Sequence, residues 1–385
     1  MTASMRVCIA YDCLYPLTVG GAERWYRALA ERLVASGHEV TYLTLRQWRP
    51  GDEPDLGGVR VVPIGPGIGL YAGSGRRRIL PTLLFAAGVF RHLIRHGNRY
   101  DVVHTFGQHL AVLAAAAARR RGRYYLVVDW FEVWTREYWR EYLGRAGGWI
   151  GWRLQRAAAR RSDRTLSFSR LHAERLRALG VRAEIHVVEG LMPGELEAGE
   201  PVASQPVVVY AGRHIPEKRV PALVHALVRA RERVPELRAE IYGDGPDRGH
   251  VLELIGEYAL DGAVEAPGFV SRERLERALA TALCLVLPSR REGYGLVVVE
   301  AAARGTPSVV VRDPDNAAVE LIQEGENGVI APSAEPGDLA EAILRVHEAG
   351  PALRSTTAAW FARNARRLSL EQSLETVLSS YRSPS

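Results

Sequence analysis

Lysine is almost absent from this sequence, since 49 of its 50 basic residues are arginine and the single lysine is Lys218. A cofactor held as a Schiff base needs a lysine, so a pyridoxal-dependent reaction would have to use Lys218. Cysteine is also scarce. Cys8, Cys13 and Cys284 form no paired framework and have no metal-ligand spacing, which argues against a disulfide scaffold and a structural zinc site. Cys8 and Cys284 lie in apolar runs and are expected to be small buried residues.

Long apolar runs are missing as well. The longest, residues 79–90, has 12 residues, whereas a helix that crosses a bilayer needs about 20. No charged-then-apolar leader precedes Met5, so we expect a cytoplasmic protein. With 47% hydrophobic and 24% charged residues, the chain is neither collagen-like nor wholly disordered. Its 385 residues predict two globular domains, at roughly 150 residues each.

Short β-type runs alternate with helical stretches along the whole chain. The predicted strands are 6–11, 40–45, 59–64, 101–105, 124–129, 164–167, 185–188, 207–212, 239–243, 284–288 and 308–311. The predicted helices include 22–36, 111–121, 221–234, 250–259, 272–282 and 295–304. Repeated βα units predict parallel, doubly wound sheets.

A stretch rich in proline and glycine, residues 190–206, has no periodic pattern and is predicted to be a linker. It separates a first domain, 1–189, from a second domain, 207–365. We therefore expect an α/β protein with two Rossmann-like, doubly wound parallel-sheet domains facing a ligand cleft.

Positive charge is concentrated in the first half. Residues 1–200 contain 29 Lys/Arg and 19 Asp/Glu, while residues 201–385 contain 21 and 25. Arginines 76–78 lead into the apolar run 79–90, and tryptophans alternate with arginines between 134 and 164. Such segments can bind an anionic membrane surface, or the run can be a buried helix in an arginine-rich chain. Nucleic acid is not expected as a partner, because no recognised binding motif accompanies the charge.

Two adjacent glycines, Gly20 and Gly21, stand between the first predicted strand and the first predicted helix. Glycine lets the backbone approach a ligand closely, and a helix N-terminus offers N–H groups to an anion. The spacing is not G-x-G-x-x-G, so a nicotinamide cofactor is not indicated. A simple turn is the alternative.

Two cations occupy the loop after the first strand of the second domain. Arg213 and Lys218 are five residues apart, at a strand end where both can converge on a diphosphate. The alternative is ordinary surface charge. The placement of the only lysine in this loop favours a function.

Two glutamates surround the glycine-rich start of a predicted helix. Glu292 precedes Gly293 and Gly295, and Glu300 lies inside the helix. Carboxylates here would accept hydrogen bonds from sugar hydroxyls, and the N–H groups of the helix start would meet phosphate. The D-x-D spelling at 313–315 has no supporting carboxylate cluster, so we interpret it as a turn and expect no metal.

Together these motifs resemble those of the retaining, nucleotide-sugar-dependent glycosyltransferases of the GT-B fold, specifically the GT4 family. The matching segments occur in family order at residues 20–23, 212–218, 242–246, 268–270, 292–300 and 324–328. The resemblance implies transfer of a hexosyl unit to an acceptor hydroxyl of a glycolipid, cell-surface polysaccharide or secondary metabolite. It also implies a metal-independent, cofactor-free front-face reaction and a last helix, about 366–385, that packs back on the first domain.

The resemblance also assigns roles to residues. Gly20 and Gly21 would lie at the donor diphosphate, and Arg213 and Lys218 would neutralise it. Glu292 would hold the hydroxyls of the donor sugar, and Glu300 would bind the ribose. The other implied donor-binding positions are Gly243, the base contacts Phe269 and Val270, and the stretch Gly293, Tyr294, Gly295, Leu296 and Val297.

One position departs from the family pattern. The predicted strand 124–129 ends in Asp129, where many relatives have a histidine beside the reacting sugar. Asp129 is thus a candidate catalytic residue, to position the sugar or act as the base for the acceptor, and a structural strand-end aspartate is the alternative. A non-catalytic sugar-nucleotide-binding protein or an epimerase-like enzyme is the alternative function, although epimerases lack the Glu292 and Glu300 arrangement.

Overall fold

A computed structural model describes residues 4–18, 20–69, 78–192 and 202–381. These residues form two compact units. The first contains the described residues up to Leu191 and those from Gln372 onward, and the second runs from Met192 to Glu371. The boundary falls inside the predicted linker 190–206, of which residues 193–201 lie outside the described residues.

The first unit is built on a seven-stranded sheet whose strands are all parallel. The strands are β1 (Arg6–Ala10), β2 (Glu39–Leu45), β3 (Arg60–Gly65), β4 (Val102–Phe106), β5 (Tyr125–Trp130), β6 (Arg164–Ser167) and β7 (Glu184–Val187). The helices are α1 (Gly21–Ala35), α2 (Ile79–His96), α3 (His109–Ala118), α4 (Arg136–Ala159, broken at Gly144) and α5 (Arg170–Ala178).

The strand order is β3-β2-β1-β4-β5-β6-β7. The chain therefore runs outward from β1 to β3 and then returns to form β4 beside β1. Because parallel crossovers are right-handed, this reversal places α2, α3 and α4 on the face of the sheet opposite α1. In that layer α2 packs against α3, and α3 packs against α4.

The second unit has a six-stranded parallel sheet in the order β10-β9-β8-β11-β13-β15, with β12 and β14 as a separate two-residue pair. Its strands are β8 (Val207–Ala211), β9 (Arg238–Tyr242), β10 (Val264–Gly268), β11 (Cys284–Leu287), β12 (Arg291–Glu292), β13 (Ser308–Val311), β14 (Asp315–Asn316) and β15 (Gly328–Ala331). The helices are α6 (Val220–Arg231), α7 (Arg248–Glu257), α8 (Arg272–Thr281), α9 (Leu296–Ala302) and α10 (Pro336–Leu368, broken at Gly350).

The second sheet also reverses direction, between β8 and β11. Open α/β sheets bind ligands outside the carboxyl ends of the strands at such a reversal. The loops that follow β8 and β11 contain Arg213, Lys218 and Glu292. The topology therefore places the predicted cations and the predicted sugar-binding carboxylate at the same edge of this sheet.

The last helix, α11 (Leu370–Ser380), begins later than the predicted 366–385, and residues 382–385 lie outside the described residues. The backbone N–H of Met192 donates to Leu368 O at 3.3 Å, and that of Leu370 donates to Met192 O at 2.8 Å. From Gln372 onward the helix belongs to the first unit. There the Tyr381 hydroxyl lies 2.6 Å from His104 Nδ1.

The predicted α/β fold class and its two parallel doubly wound sheets are confirmed. Strands β10, β12, β14 and β15 and helices α2, α4 and α5 were not predicted. Cys8, Cys13 and Cys284 form no disulfide and all three are buried; burial was expected for Cys8 and Cys284. None of the helices in the described ranges combines the length and hydropathy that a bilayer-spanning segment requires.

Candidate functional site in the second unit and the buried carboxylate of the first

The loop after β8, which we call the cation loop, contains the two predicted cations, Arg213 and Lys218. Arg213 follows the strand almost directly and its side chain is exposed, while its carbonyl accepts the Tyr210 hydroxyl at 3.0 Å. Lys218 ends a short 3₁₀ turn, Pro216–Lys218, whose proline pre-sets the backbone for a helical turn. The sequence therefore builds a compact loop with one cation at each end.

Lys218 and Glu292 form an ion pair, with Lys218 Nζ 2.6 Å from Glu292 Oε1. The two side chains are 15% and 13% exposed, so the pair is partly shielded from water. Lys218 Nζ also donates to Arg291 O at 3.3 Å, and Ser289 Oγ donates to Glu292 Oε1 at 2.8 Å. Two predicted site residues that are distant in sequence are thus brought together because β8 and β11 are neighbours in the sheet.

Glu292 keeps one oxygen uncommitted. Its bonds to Lys218 and Ser289 both use Oε1, and within the described part of the chain no hydrogen bond to Oε2 is found. A carboxylate oxygen accepts hydrogen bonds in two lone-pair directions. Oε2 can therefore accept a hydroxyl hydrogen while Oε1 stays anchored.

Two residues that sequence reasoning did not identify, Ser289 and Asn316, hold this loop in place. Both are buried. Asn316 Nδ2 donates to Ser289 O at 3.2 Å and to Val311 O at 2.8 Å, and β12 pairs Glu292 with Asn316. An asparagine directly after the D-P-D turn is the only local hint of this role, because asparagine commonly bonds nearby backbone groups.

The D-x-D segment is a turn, as predicted, because the backbone N–H of Asn316 donates to Asp313 O at 3.0 Å. The Asp313 carboxylate pairs with Arg219 at 3.1 Å. Arg219 has φ +48, a left-handed conformation that is uncommon outside glycine. The ion pair therefore links the cation loop to the loop after β13.

Gly295 precedes α9 with φ +98, and a Cβ there would lie 2.8 Å from Ala318 Cβ. Glycine is required at this position because other residues tolerate neither the angle nor the contact. The N–H groups that follow, of Leu296 and Val297, have no acceptor within the helix. Glu300 lies half-buried on the same helix.

The other predicted donor-binding residues lie at neighbouring strand ends. Gly243, after β9, has φ +116, and a Cβ there would overlap Gly212 O, so backbone packing alone accounts for this glycine. Phe269, directly after β10, is 76% exposed, and Val270 follows it. An aromatic ring this exposed at a strand end has surface to offer a planar ligand.

His214, between the two cations, is buried, and neither of its ring nitrogens has a hydrogen-bond partner in the described ranges. Burial lowers the pKa of His214, because the charged form loses its hydration. The ring therefore adds no positive charge to the cation loop at neutral pH.

In the first unit Gly20 and Gly21 begin α1, with Gly20 in extended backbone. A Cβ at Gly20 would overlap the Glu23 carboxylate, whereas a Cβ at Gly21 would meet no atom within 4 Å. Gly21 is therefore the open position of the pair, whereas a side chain at Gly20 would require the flexible Glu23 carboxylate to move.

Asp129 lies on β5 with no exposed surface. Its Oδ2 accepts Trp25 Nε1–H at 2.8 Å, and its Oδ1 lies 2.6 Å from His104 Nε2. The other ring nitrogen of His104 lies 2.6 Å from the Tyr381 hydroxyl. A carboxylate enclosed in this way reaches no acceptor hydroxyl in the described conformation, so its geometry supports the structural alternative. A catalytic role for Asp129 stays a prediction.

Comparisons with known proteins cover both units. The family model described as "Glycosyl transferases group 1" matches residues 195–367, and the one described as "Glycosyl transferase 4-like domain" matches residues 20–190. Alpha-D-kanosaminyltransferase of Streptomyces kanamyceticus is 32% identical over 154 residues, which are 40% of this chain and 39% of that protein. D-inositol 3-phosphate glycosyltransferase of Nocardioides is 33% identical over 191 residues, 46% of this chain and 41% of the relative. The matches thus span about two fifths of these relatives' lengths.

Solved structures share the fold. Sucrose-phosphate synthase from Thermosynechococcus elongatus has a TM-score of 0.77 at 19% identity, over 98% of each chain. Anabaena HepE in complex with UDP-glucose has a TM-score of 0.74 at 20% identity, over 98% of this chain and 100% of that one. Two Rossmann-like units, the ordered motifs and the two family models all point to one group. The chain belongs to the GT4-type glycosyltransferases of the GT-B fold.

Proposed function

We propose that this protein transfers a hexosyl unit from a nucleotide-diphosphate sugar to an acceptor hydroxyl, with retention of the anomeric configuration. One observation carries the proposal: Lys218 and Glu292 are paired at 2.6 Å at the reversal point of the second sheet. The lysine supplies a cation for a diphosphate. The glutamate keeps Oε2 for a sugar hydroxyl.

A nucleotide sugar is the proposed donor. Named sugar transferases are among the relatives, and HepE, which shares the fold, has been solved with UDP-glucose. In this chain we assign the diphosphate to Arg213 and Lys218, the sugar hydroxyls to Glu292, and the ribose to Glu300. Phe269 would contact the base through its exposed ring or backbone.

The proposed reaction depends on stabilising the leaving group. As the bond from the anomeric carbon to the diphosphate oxygen breaks, negative charge grows on the diphosphate. Arg213 and Lys218 offset this charge, and charge-assisted hydrogen bonds to phosphate are among the strongest in proteins. A freed diphosphate oxygen takes the proton of the acceptor hydroxyl, whose oxygen bonds the anomeric carbon on the same face. Because two cations can serve this step, we propose that no metal is required.

The ion pair in this structure suggests how the loop receives its donor. Glu292 holds the ammonium group near the strand ends before any diphosphate arrives. An incoming phosphate then shares Lys218, and the carboxylate, still held by Ser289, keeps its place for the sugar. Both groups are positioned in advance, which lowers the entropy cost of binding.

Ligand-induced thermal stabilisation tests the donor assignment. UDP, GDP, ADP, CMP, dTDP and their common sugar conjugates are compared with and without a chelator. A ligand at 100 times its dissociation constant adds about 2.7 kcal/mol, which raises the midpoint by roughly 5–10 °C for a unit of this size. We expect a chelator-insensitive rise with one base. No rise with any nucleotide would refute the donor site.

The single lysine gives a second, residue-specific test. An amine acylating reagent modifies side chains of this protein only at Lys218, so peptide mass spectrometry reads that one position. We expect the bound nucleotide sugar to protect Lys218 at least fivefold. Equal modification with and without a stabilising ligand would show that the ligand binds elsewhere.

Turnover separates a transferase from the alternatives. Released nucleoside diphosphate and the sugar product are measured with candidate hydroxyl acceptors, and the anomeric coupling constant of the product establishes retention. Glu292→Gln should reduce turnover at least 100-fold, while Glu257→Gln, an exposed site on α7, should not. Donor binding without transfer would favour a non-catalytic binding protein. Isomerisation of the donor sugar would favour an epimerase-like enzyme.

A further inference from the structure

Helix α2 carries large apolar side chains on its outward face. Ile79 is 67% exposed, Leu80 57%, Leu83 48% and Phe90 42%. Spacings of three and seven residues keep Leu80, Leu83 and Phe90 along one side of the helix. We call these four side chains the α2 stripe.

The inner face of α2 is apolar too. Phe85, Val89 and Leu93 are fully buried, and the helix packs against α3 and β3. The sequence left open that the run 79–90 is simply a buried helix. Burial accounts for the inner face of α2 and leaves its outward apolar side chains unexplained. Outward positions of a soluble helix are normally polar, so the α2 stripe needs its own explanation.

The second apolar group lies on α4, in the same helical layer. Leu143, Trp149 and Ile150 are 42%, 52% and 51% exposed, and we call these three side chains the Trp149 group. The guanidinium of Arg153 lies 5.3 Å from the centre of the Trp149 ring. Tryptophan with adjacent arginine is typical of side chains at a membrane interface.

The two chain segments that carry these groups have charge of a single sign, and the acidic residue nearest to them on α4 is Glu141, which is exposed. From residue 56 to 100, and again from 142 to 162, the sequence contains no aspartate or glutamate. The first segment contains seven arginines and the second contains five. Arg78 and Arg95, at the two ends of α2, are both exposed. An apolar stripe between cations complements a surface that is apolar inside and anionic outside.

We propose that the α2 stripe and the Trp149 group on α4 bind the surface of an anionic lipid bilayer, with the apolar side chains in the acyl boundary and the arginines at the headgroups. Because no acidic side chain occurs in either segment, pairing two copies through this face would oppose like charges. An anionic bilayer offsets those charges instead. This proposal does not depend on the transferase activity, since binding to lipid needs no donor.

Vesicle co-flotation of the full chain tests the proposal. Vesicles of phosphatidylcholine with 50% phosphatidylglycerol are compared with pure phosphatidylcholine at low salt. We expect binding to the anionic vesicles only, largely lost at 0.5 M NaCl because the charge is screened. Equal binding to both vesicles, or binding to neither, would overturn the proposal.

Matched variants locate the surface. Leu83→Gln should weaken vesicle binding roughly tenfold or more, because the bilayer no longer buries a leucine side chain. Arg95→Gln should weaken vesicle binding about fivefold, because one attraction to the anionic headgroups is lost. The controls are Leu252→Gln, 43% exposed on α7, and Arg229→Gln, exposed on α6. Controls that weaken binding as much as the test variants would overturn the assignment of the surface.

The oligomeric state is measured by light scattering without lipid. We expect the parent chain and Leu83→Gln to have the same mass. A dimer that Leu83→Gln dissociates would replace the bilayer with a second copy as the partner of the stripe. Urea unfolding of each variant tests whether lost binding comes from lost folding. We expect the free energy of unfolding to stay close to that of the parent chain, because outward α2 side chains make few native contacts.

Discussion

Breaking the Lys218–Glu292 pair should destabilise the second unit by a measurable amount. The charges are 2.6 Å apart and about 85% shielded, with exposures of 15% and 13%. Removing one partner of a fully buried pair costs about 3–5 kcal/mol. Ser289 remains bonded to Glu292, and some solvent reaches both groups, so Lys218→Met should lower the free energy of unfolding by about 2 kcal/mol.

The assay is urea unfolding of Lys218→Met, Glu292→Gln and the double variant, followed by circular dichroism. The double variant should lose less than the sum of the single losses, because neither charge is then left unpaired, and the coupling energy should be about 1–3 kcal/mol. Additive losses would show that the two groups do not interact in solution. A change below about 0.5 kcal/mol for Lys218→Met would refute the reasoning.

The same variants separate the roles of the two residues toward the donor. Lys218→Met should weaken nucleoside diphosphate binding roughly tenfold or more, because a charge-assisted bond is lost, and Lys218→Arg should restore part of it. Glu292→Gln should leave nucleoside diphosphate affinity within about threefold, since the carboxylate is assigned to the sugar. Equal weakening by Lys218→Met and Glu292→Gln would contradict this division of roles.

Three further predictions concern stability. Tyr381→Phe should cost about 1–2 kcal/mol in urea unfolding, because its hydroxyl bonds a fully buried histidine at 2.6 Å, whereas Tyr258→Phe, which loses an exposed 3.2 Å bond to a histidine, should cost less than about 0.5 kcal/mol. Gly295→Ala should cost about 1–3 kcal/mol, since φ is +98 and the new Cβ is crowded; Gly256→Ala on α7, with no atom within 4 Å, should be neutral or stabilising. Burial lowers the pKa of His109 to about 4 from 6.5. Between these two values the unfolded chain binds more protons than the folded chain, so the free energy of unfolding decreases as the pH is lowered. The His109 contribution should drop by about 2 kcal/mol between pH 7 and pH 5, and a His109→Gln variant with the same pH dependence as the parent would contradict it.

Much of the fold could be predicted because strands buried on both faces are continuous apolar runs. Strands β8, β11 and β13 are of this kind, and all were found. Four strands were missed: β12 and β14 have only two residues each, and β10 and β15 are the two edges of the six-stranded sheet. An edge strand contacts fewer neighbours, so its sequence carries a weaker apolar pattern, and β10 even contains Pro267.

The candidate site was partly predictable for a similar reason. Arg213, Lys218 and Glu292 lie in the loops that follow strand-type runs, and the carboxyl ends of parallel strands meet at one edge. The supporting residues Ser289 and Asn316 were missed, because a serine and an asparagine in loops have many local roles. Their bonds to Glu292 and to its loop depend on how β12 and β14 pair.

The sequence by itself determined the fold class, the two-unit organisation and the family of this protein, because these depend on local periodicity and on ordered short motifs. Only the tertiary structure decided the surroundings of Asp129, which touches Trp25 and His104, with Tyr381 behind His104. It likewise decided that the apolar run 79–90 has an exposed outer face as well as a buried inner one. Contacts between residues more than 100 positions apart depend on strand order and helix packing, and no local pattern records them.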